Sequence, residues 1–254
     1  MLFKIGPLTV STYGVLVATA FIAATAVAAR RAQREGIHPD RIYDLGLYAL
    51  VAAIVGSRLL YVITQWSYYA AHPLDAFKIW QGGLVFYGGL LLGIPVVIGY
   101  LRRHGLPVWQ VGDILAPSVA LGQSIGRVGC FAAGCDFGTE TDVPWAVTFT
   151  HPESLAKLGV PLHPTQLYES AVLLLLFFGL SWLLRRRRFH GQVFWTYIGS
   201  YAVLRFFLEF FRGDVDRGFV IEPWLSTSQF IGLLLLPVAV VMYRRLGSRK
   251  AASR

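Results

Sequence analysis

Seven windows of the sequence are apolar and close to the 20 or so residues that cross a lipid bilayer. They fall at roughly 9–29, 43–64, 84–101, 109–126, 167–184, 193–211 and 228–243. Hydrophobic residues make up 55% of the 254-residue chain and charged residues 15%, with a mean hydropathy of +0.55. This composition is too apolar for a soluble domain of such length. The pattern predicts an all-α membrane protein with seven transmembrane helices.

Positively charged residues follow every second apolar window. Fifteen of the 23 lysines and arginines lie there: Arg30, Arg31, Arg34, Arg41, Arg102, Arg103, Arg185, Arg186, Arg187, Arg188, Arg244, Arg245, Arg249, Lys250 and Arg254. If every window crosses, all of them fall on one side, and the positive-inside rule then predicts an outside N-terminus and a cytoplasmic C-terminus. The net charge of +9 therefore indicates topology rather than binding of nucleic acid.

The segments assigned to the outer side are 65–83, 127–166 and 212–227. The longest, 127–166, is apolar for a loop, and its stretch from Trp145 to Thr150 alternates like a short strand. Loops of this length are usually functional or disordered, and the apolar content favours a small ordered cap. With no internal repeat and no soluble second domain, residues 1–254 are predicted to be one integral-membrane domain that includes this cap.

The stretch from Gly126 to Gly138 combines four glycines, an arginine, an aspartate and both cysteines of the chain. Glycines at this density allow backbone to approach backbone or a ligand closely. An arginine at the end of an apolar span is costly unless it is paired or faces a cavity. One interpretation is a candidate site around Arg127, and the other is a glycine-rich helix end with a snorkelling arginine.

Other ionisable residues also fall inside the apolar windows. Arg58 lies in the second window, and Tyr201, Arg205, Glu209 and Arg212 recur in the sixth at intervals that place them on one helix face. An Arg205–Glu209 pair that only fixes helix packing is one interpretation. However, one acid cannot balance all the arginines, and even with Glu169 and Asp136 or Asp214 as further partners a surplus of guanidinium groups is expected. Arginine forks match phosphate and carboxylate oxygens, which predicts an anionic ligand such as a phospholipid head group.

Two further motifs each leave two interpretations open. The Gly-Gly pairs at Gly82 and Gly88 are either helix-packing notches or backbone surfaces against a ligand. The segment from His163 to Glu169 is typical of a helix start with Thr165 as a possible N-cap. His163 itself is either a base near the outer surface or a loop histidine that is only solvated or hydrogen-bonded.

The motifs together resemble the bacterial prolipoprotein diacylglyceryl transferases over nearly the whole chain. The matching segments are Gly6-Pro7 with Tyr13-Gly14, Gly56-x-Arg58-Leu59, Gly82-Gly83-Leu84-x-Phe86-x-Gly88-Gly89, Gly126-Arg127-x-Gly129-x-Phe131-x-x-Gly134-x-x-x-Gly138, His163-Pro164-Thr165-Gln166-Leu167-Tyr168-Glu169, Arg205-Phe206-x-x-Glu209-Phe210-x-Arg212 and Ser226-x-x-Gln229. The resemblance implies transfer of the diacylglyceryl group of phosphatidylglycerol to the lipobox cysteine of a preprolipoprotein signal peptide, with release of glycerol phosphate. It also implies the bacterial cytoplasmic (inner) membrane, a periplasmic cap and active site, and no metal or organic cofactor.

By the family pattern, Arg127 and Arg205 would hold the lipid phosphate, with Glu209 and Tyr201 supporting Arg205. The candidate catalytic residues are Arg127, Arg205, Glu209 and Tyr87. The candidate substrate-binding residues are Tyr13, Arg58, Gly88, Cys130, Gly138, His163, Gln166, Tyr201 and Arg212.

This chain departs from the family pattern at three positions. Tyr87 replaces a histidine, Cys130 an asparagine and Cys135 a glutamate. A tyrosine donates hydrogen bonds but is a poor base at neutral pH. The two cysteines have three interpretations: a disulfide, buried inert thiols, or a reactive cysteine that takes the lipid group itself. Two rival functions follow, a paralogue that uses another acceptor and a phospholipid-binding or transport protein without catalysis.

Overall fold

The computed structural model describes residues 3–5, 8–214, 218–222 and 224–252. Three residues named above, Gly6, Pro7 and Arg254, lie outside this part. The described chain is mainly helical, and its helices are α1 (Thr12–Arg34), α2 (Pro39–Thr64), α3 (Trp66–Ala71), α4 (Phe86–Arg103), α5 (Val108–Ala133), α6 (Thr165–Arg186), α7 (Gln192–Leu208) and α8 (Thr227–Ala252). Short 3-10 helices span Pro73–Phe77, Ile79–Gln81 and Glu209–Phe211.

Each predicted apolar window coincides with one of the seven longer helices. Within the described residues, four of these are long and apolar enough to cross a membrane by length and composition alone: α1, α2, α6 and the part of α8 from Thr227 to Ser248. The prediction of a helical membrane protein is therefore confirmed.

Three small antiparallel hairpins join or precede the helices. They pair β1 (Phe3–Ile5) with β2 (Leu8–Val10), β3 (Val147–Thr148) with β4 (Pro161–Leu162), and β5 (Phe219–Ile221) with β6 (Leu225–Ser226). The strand predicted between Trp145 and Thr150 is confirmed by β3. Because β3 pairs with β4, the loop between α5 and α6 is an ordered segment rather than an open tether.

The contacts of the chain divide it into two compact units, residues 28–111 and residues 1–27 with 112–254. In the first unit, α2 and α4 cross where a glycine of each helix meets the other. A Cβ added to Gly56 would lie 2.3 Å from the carbonyl oxygen of Gly88, and one added to Gly88 would lie 2.2 Å from that of Gly56. Only glycines permit this approach, so packing of helix on helix is a role of Gly88.

The second unit packs around a small apolar cluster that consists of Ala116, Ala120, Leu180, Val193 and Tyr197. A fully buried aspartate joins two of its helices. Asp113 of α5 accepts hydrogen bonds from the backbone N–H groups of Gly191 and Phe194, at 2.8 and 2.9 Å. Backbone N–H groups at the start of a helix lack partners within that helix, so Asp113, which accepts from these two, fixes the start of the helix that carries Arg205.

Candidate active site

Helix α5 runs through the glycine-rich motif and ends in a Schellman turn. Its last residue is Ala133, and Gly134 follows with a left-handed φ of 74°. The N–H of Cys135 donates to the carbonyl of Cys130 at 3.1 Å, and that of Gly134 donates to Phe131 at 3.1 Å. This pair of bonds defines the turn. Residues 127–133 are therefore helical, and the non-helical segment begins at Gly134.

Asp136, just after this turn, forms ion pairs with two arginines. Its Oδ2 lies 2.6 Å from Nη1 of Arg127, and its Oδ1 lies 2.6 Å from Nη2 of Arg212. Asp136 has a left-handed φ of 58°, which aspartate tolerates better than most residues. Burial disfavours the charged carboxylate, but the guanidinium groups of Arg212 and Arg127 outweigh this and lower the pKa of Asp136.

Arg127 is also held from helix α6. Its Nε lies 3.0 Å from Oε2 of Glu169, a carboxylate that is only 5% exposed. Arg127 is thus fixed between an acid of the turn and an acid of a neighbouring helix. Two carboxylates orient its guanidinium plane, and this is the preorganisation that a binding site for an anion requires.

The sequence prediction that Arg212 shares a helix face with Tyr201, Arg205 and Glu209 is wrong. Helix α7 ends at Leu208, the 3-10 turn from Glu209 to Phe211 follows, and Arg212 has extended backbone angles. Its side chain pairs with Asp136 and with Asp214, whose Oδ1 lies 2.7 Å from Nε of Arg212. The tighter turn redirects Arg212 toward the end of α5.

Gly138 lies where three chain segments meet. Its N–H donates to the carbonyl of His163 at 3.1 Å, and the next N–H, of Thr139, donates to Phe211 at 2.9 Å. A Cβ on Gly138 would lie 2.4 Å from the carbonyl oxygen of His163. A Cβ on Gly213 would lie equally close, at 2.4 Å, to the carbonyl oxygen of Gly138. Gly138 therefore serves close packing of backbones beside Asp136.

Arg205 of α7 forms an ion pair with Glu209 of the 3-10 turn that follows, with Nη2 and Oε2 2.9 Å apart. The same Nη2 lies 3.4 Å from the hydroxyl of Ser228 on α8. The side chain of Arg205 is 13% exposed and that of Glu209 is 2% exposed. Within the described residues, Nη1 of Arg205 is buried and makes no hydrogen bond. Arg205 consequently keeps a buried donor for a ligand.

Tyr201 lies within electrostatic range of both predicted phosphate-binding arginines. It interacts electrostatically with Glu169, Arg127 and Arg205. Its ring stacks on that of Tyr197 with centroids 6.0 Å apart, and the hydroxyl of Tyr197 donates to Gln123 at 2.8 Å. Arg127 and Arg205 are thus brought to one side-chain neighbourhood although they lie on different helices.

The other predicted site residues of this unit lie around the end of α5. Tyr13 packs near Gly129, since a Cβ there would be 3.5 Å from its ring, and Tyr13 interacts with Cys130 and Arg127. Gln166, which is buried, donates from Nε2 to the carbonyl of Cys135 at 2.7 Å.

His163 is hydrogen-bonded, which agrees with the second interpretation of this histidine, and its role as a base stays a prediction. Its Nδ1 lies 3.1 Å from the hydroxyl of Tyr168, and its ring lies edge-on to Phe211. Thr165, the predicted N-cap of α6, does not occupy the N-cap position. The N-cap position of α6 is Pro164, and the hydroxyl of Thr165 donates instead to the carbonyl of Asp136 at 2.8 Å.

The prediction that guanidinium groups outnumber their acidic partners is wrong for the described residues of this unit. Three arginines of this unit meet four acids: Arg127, Arg205 and Arg212 meet Asp136, Glu169, Glu209 and Asp214. The sequence named these acids as possible partners but could not show that all four would pair, which depends on tertiary contacts such as those that bring Asp136 and Glu169 to Arg127. A ligand phosphate must therefore add to an already paired network.

Arg58, Tyr87 and Gly88 belong to the unit of residues 28–111. The guanidinium of Arg58 donates to the carbonyl oxygens of a single loop: those of Asp75 at 2.7 Å, Ala76 at 2.8 Å, Gly82 at 2.8 Å and Gly83 at 3.2 Å. Arg58 thus orders the loop before α4. Tyr87 is 44% exposed, and its ring packs edge-on to Phe86. Substrate contacts at these three residues stay predictions.

One group of side chains has the geometry of a metal site. A ligand atom from each of Cys130, Cys135 and Asp136 lies within 4.8 Å of the other two. However, both carboxylate oxygens of Asp136 pair with arginines, and this positive charge disfavours a cation. The absence of a cofactor remains a prediction.

Three acids were considered as possible partners of the arginines but were not included among the candidate site residues: Asp136, Glu169 and Asp214. A signal for Glu169 was available, because an acid in the first turns of a helix after a Pro-Thr step lies near the start of α6, and Arg127 lies near the end of α5, the helix that precedes it. Asp136 was adjacent to the substituted Cys135. The contact of Asp214 with Arg212 depends on the 3-10 turn, and no sequence pattern indicated it.

The fold and this site define a helical membrane protein with a buried arginine–carboxylate network suited to an anionic group. The family described as prolipoprotein diacylglyceryl transferase matches residues 1–245. The chain belongs to that family, as the motifs predicted.

Individual relatives agree with the family match. A protein of Lactiplantibacillus plantarum is 39% identical over 95% of this chain and 88% of its own length. One of Geobacter sulfurreducens is 39% identical over 96% and 95%, and one of Clostridium tetani is 35% identical over 96% of each. All three are named phosphatidylglycerol–prolipoprotein diacylglyceryl transferase.

Proposed function

We propose that this protein transfers the diacylglyceryl group of phosphatidylglycerol to the cysteine thiol of a prolipoprotein lipobox. Family membership and the names of the relatives support the two substrates. The observation on this chain that carries the proposal is the arrangement of Arg127 and Arg205 around Tyr201, with a buried donor left on Arg205.

The reaction displaces a phosphate ester from an sp³ carbon of glycerol. The thiolate sulfur forms a C–S bond with that carbon, the C–O bond to phosphate breaks, and glycerol phosphate leaves with the bonding electron pair. Charge grows on the departing phosphate, and fixed guanidinium groups in a water-poor site stabilise it. Arg127 and Arg205 supply these groups, while Glu169, Asp136 and Glu209 hold them in place.

The incoming thiol must also lose its proton. A thiol ionises at an ordinary pKa of about 8.5, and nearby positive charge lowers this value. The guanidinium N–H groups of Arg127 and Arg205 that face the bound thiol then favour the thiolate, and the proton passes to the departing glycerol phosphate, so that no dedicated base is needed and Tyr87 can replace the family histidine. We place Tyr87 as a hydrogen-bond donor toward the substrate, together with the contacts predicted for His163 and Gln166.

An apolar groove lies between the two helices that carry Arg205 and its neighbour Ser228. It has a volume of about 180 Å³ and lies between α7 and α8, where Ala202, Phe206, Gly232 and Leu236 line it. Ala202 and Phe206 flank Arg205 along α7. We assign this groove to an acyl chain of the phospholipid whose phosphate Arg205 binds.

The topology proposed for this activity has seven crossings, an outside N-terminus and a cytoplasmic C-terminus in the bacterial inner membrane. The seven long helices and the alternation of basic segments support it. The end of α5 and the start of α6 then face the periplasm, the side on which a translocated lipobox is presented. Residues 1–254 act as one membrane domain, with the segment after α5 as the periplasmic cap.

The test is to incubate the purified protein with phosphatidylglycerol and a lipobox peptide and to measure the peptide mass and released glycerol phosphate. We expect a diacylglyceryl mass shift that Arg127→Ala and Arg205→Ala abolish, while Arg102→Ala, a change of an exposed arginine, leaves it intact. Lipid consumption without a modified peptide would favour another acceptor. Lipid binding without consumption would favour a transport protein.

A further inference from the structure

The two cysteines of this chain occupy paired positions of the turn that ends α5. In a Schellman turn, the residue four before the left-handed glycine and the residue just after it lie against each other, and a side-chain contact between them is common. Here the glycine is Gly134, and those residues are Cys130 and Cys135. The contact that is usually hydrophobic is therefore made by two thiols.

The geometry confirms the contact. The two sulfur atoms lie within 4.8 Å of each other, and the sulfur of Cys135 also lies 3.6 Å from the carbonyl oxygen of Cys130. Both residues are partly exposed and carry free thiols. The reaction proposed above uses neither sulfur, so the pair is available for other chemistry.

We propose that Cys130 and Cys135 form a dithiol modification site that thiol–disulfide exchange converts into an intramolecular disulfide. The oxidant is a protein or small-molecule disulfide of the periplasmic side. The thiolate of Cys135 attacks one sulfur of the oxidant and releases one thiol. The thiol of Cys130, after losing its proton, then attacks Cys135 and releases the second. Two electrons pass to the oxidant, which becomes two thiols and takes up the two protons.

The surroundings favour Cys135 as the first nucleophile. The thiol of Cys130 donates a hydrogen bond to its sulfur and lowers the pKa of Cys135, and Arg127 acts in the same direction, while burial and the charge of Asp136 oppose it. Cys130 then lies in position as the resolving thiol. A short main-chain path with an N–H···O bond already joins the two residues, so the ring closes with little rearrangement.

The disulfide would act on the site through Asp136, the residue next to Cys135. A bond across the turn fixes the end of α5 and with it the carboxylate that pairs with both Arg127 and Arg212. The oxidised form therefore keeps the guanidinium of Arg127 oriented. This inference concerns the redox state of the thiols, and its test does not depend on the transferase activity.

The experiment equilibrates the purified full-length protein in detergent with glutathione buffers of increasing oxidised fraction. After acid quenching, a maleimide labels the remaining thiols and the intact mass is measured. We expect loss of both thiols together, with a mass lower by two hydrogen atoms and no glutathione adduct. In the protein denatured with dodecyl sulfate, half-oxidation should need a buffer roughly tenfold or more oxidising, because the effective concentration of the second thiol falls.

The single variants Cys130→Ser and Cys135→Ser are the matched controls. Each should keep one thiol that forms only a glutathione adduct, which a reductant removes. If both thiols of the unaltered protein stay open to the maleimide in the most oxidising buffer, the cysteines are inert and the proposal is overturned. Stable glutathione on both cysteines would overturn it equally, as would a lipid adduct on Cys130.

Discussion

Nη1 of Arg127 lies 2.6 Å from Oδ2 of Asp136, although the end of helix α5 and a left-handed glycine separate the two residues along the chain. The exposed fractions of the two side chains are 19% and 30%. Water competes less with such a pair than with a fully exposed one, so the carboxylate of Asp136 orients the arginine more firmly. The same carboxylate holds Arg212, and the turn after α5 thereby positions two cationic groups.

Replacement of Asp136 by Asn should weaken catalysis without removing the arginines. An amide accepts a hydrogen bond but carries no charge, so Arg127 loses a charge-assisted partner and orientation. We expect kcat/KM to fall about 10- to 30-fold, equivalent to about 1.5–2 kcal/mol of transition-state stabilisation. Asp142→Asn, a change of an exposed aspartate in the same loop, is the control. Equal activities of the two variants would remove Asp136 from the site.

The stability of the protein should depend on pH through Asp136. Its pKa is lowered in the folded state because the guanidinium groups of Arg212 and Arg127 outweigh the effect of burial. A lowered pKa contributes stability that is fully present above the ordinary value of about 4 and is lost as pH falls through the folded value. In thermal unfolding followed in detergent, the unaltered protein should have a higher melting temperature than Asp136→Asn. The difference should be constant between about pH 5 and pH 8, where the carboxylate of Asp136 is charged in both the folded and the unfolded state. An advantage that disappears above pH 5 would contradict the assignment.

Arg205→Lys tests the buried donor on Arg205. Lysine keeps the charge and can reach Glu209, but it cannot present the second guanidinium nitrogen that has no hydrogen bond within the described residues. We expect transfer to fall at least tenfold at saturating lipid, since the lost contact is made with the developing phosphate charge. The initial rate of glycerol phosphate release measures this. Arg102→Lys provides the matched exchange at an exposed position, and a similar effect there would point to a general change in the protein.

Gly138→Ala should destabilise the fold, whereas Gly126→Ala in the same motif should not. A methyl group on Gly138 would lie 2.4 Å from a backbone carbonyl oxygen of His163, whereas one on Gly126 meets nothing within 4 Å. Backbone cannot yield as a side-chain tip does, so we expect about 1–3 kcal/mol of destabilisation. Two measurements report this loss of stability. One is the fraction of detergent-solubilised protein that elutes as a single species in size-exclusion chromatography, and the other is the midpoint temperature of thermal inactivation. Equal behaviour of the two variants would show that the junction at Gly138 is not packed as described.

Arg58→Lys should loosen the loop that precedes α4. Five hydrogen bonds run from the guanidinium group to carbonyl oxygens between Asp75 and Gly83, and an ammonium group has three donors that cannot span them. We expect proteolytic cleavage between residues 73 and 85 to become several-fold faster, because local opening costs less free energy. Arg103→Lys, at an exposed position of the same unit, should leave the cleavage rate unchanged.

Much of the architecture could be predicted because a bilayer imposes strict lengths and compositions. Each predicted window coincides with a helix, and the strand near Val147 formed where alternation indicated it. The contact of Cys130 with Cys135 was also within reach of sequence reasoning, because a glycine four residues after the first cysteine is the mark of a Schellman turn. Sequence reasoning instead treated the stretch after residue 126 as loop, although the helix continues to Ala133.

The errors arose where a helix changed its geometry. Spacing placed Arg212 on the face of Arg205, but the 3-10 turn after Leu208 redirects it. Gly213 permits this course, since its backbone approaches that of Gly138 too closely for any side chain. Periodicity cannot show where the last turn of a helix tightens, because that depends on the segment packed against it.

The sequence by itself determined the membrane class, the order of the helices and the family, because these follow from apolar length, charge placement and local motifs. Only the tertiary structure decided which acid pairs with which arginine. Glu169 and Asp136 meet Arg127 because α5, its terminal turn and α6 converge, and Arg58 meets backbone carbonyls instead of acids. The sequence shows which charged residues the chain contains and how they are spaced along it. The energy of a buried charge depends on its distances to other charges, and these are determined by how the chain packs.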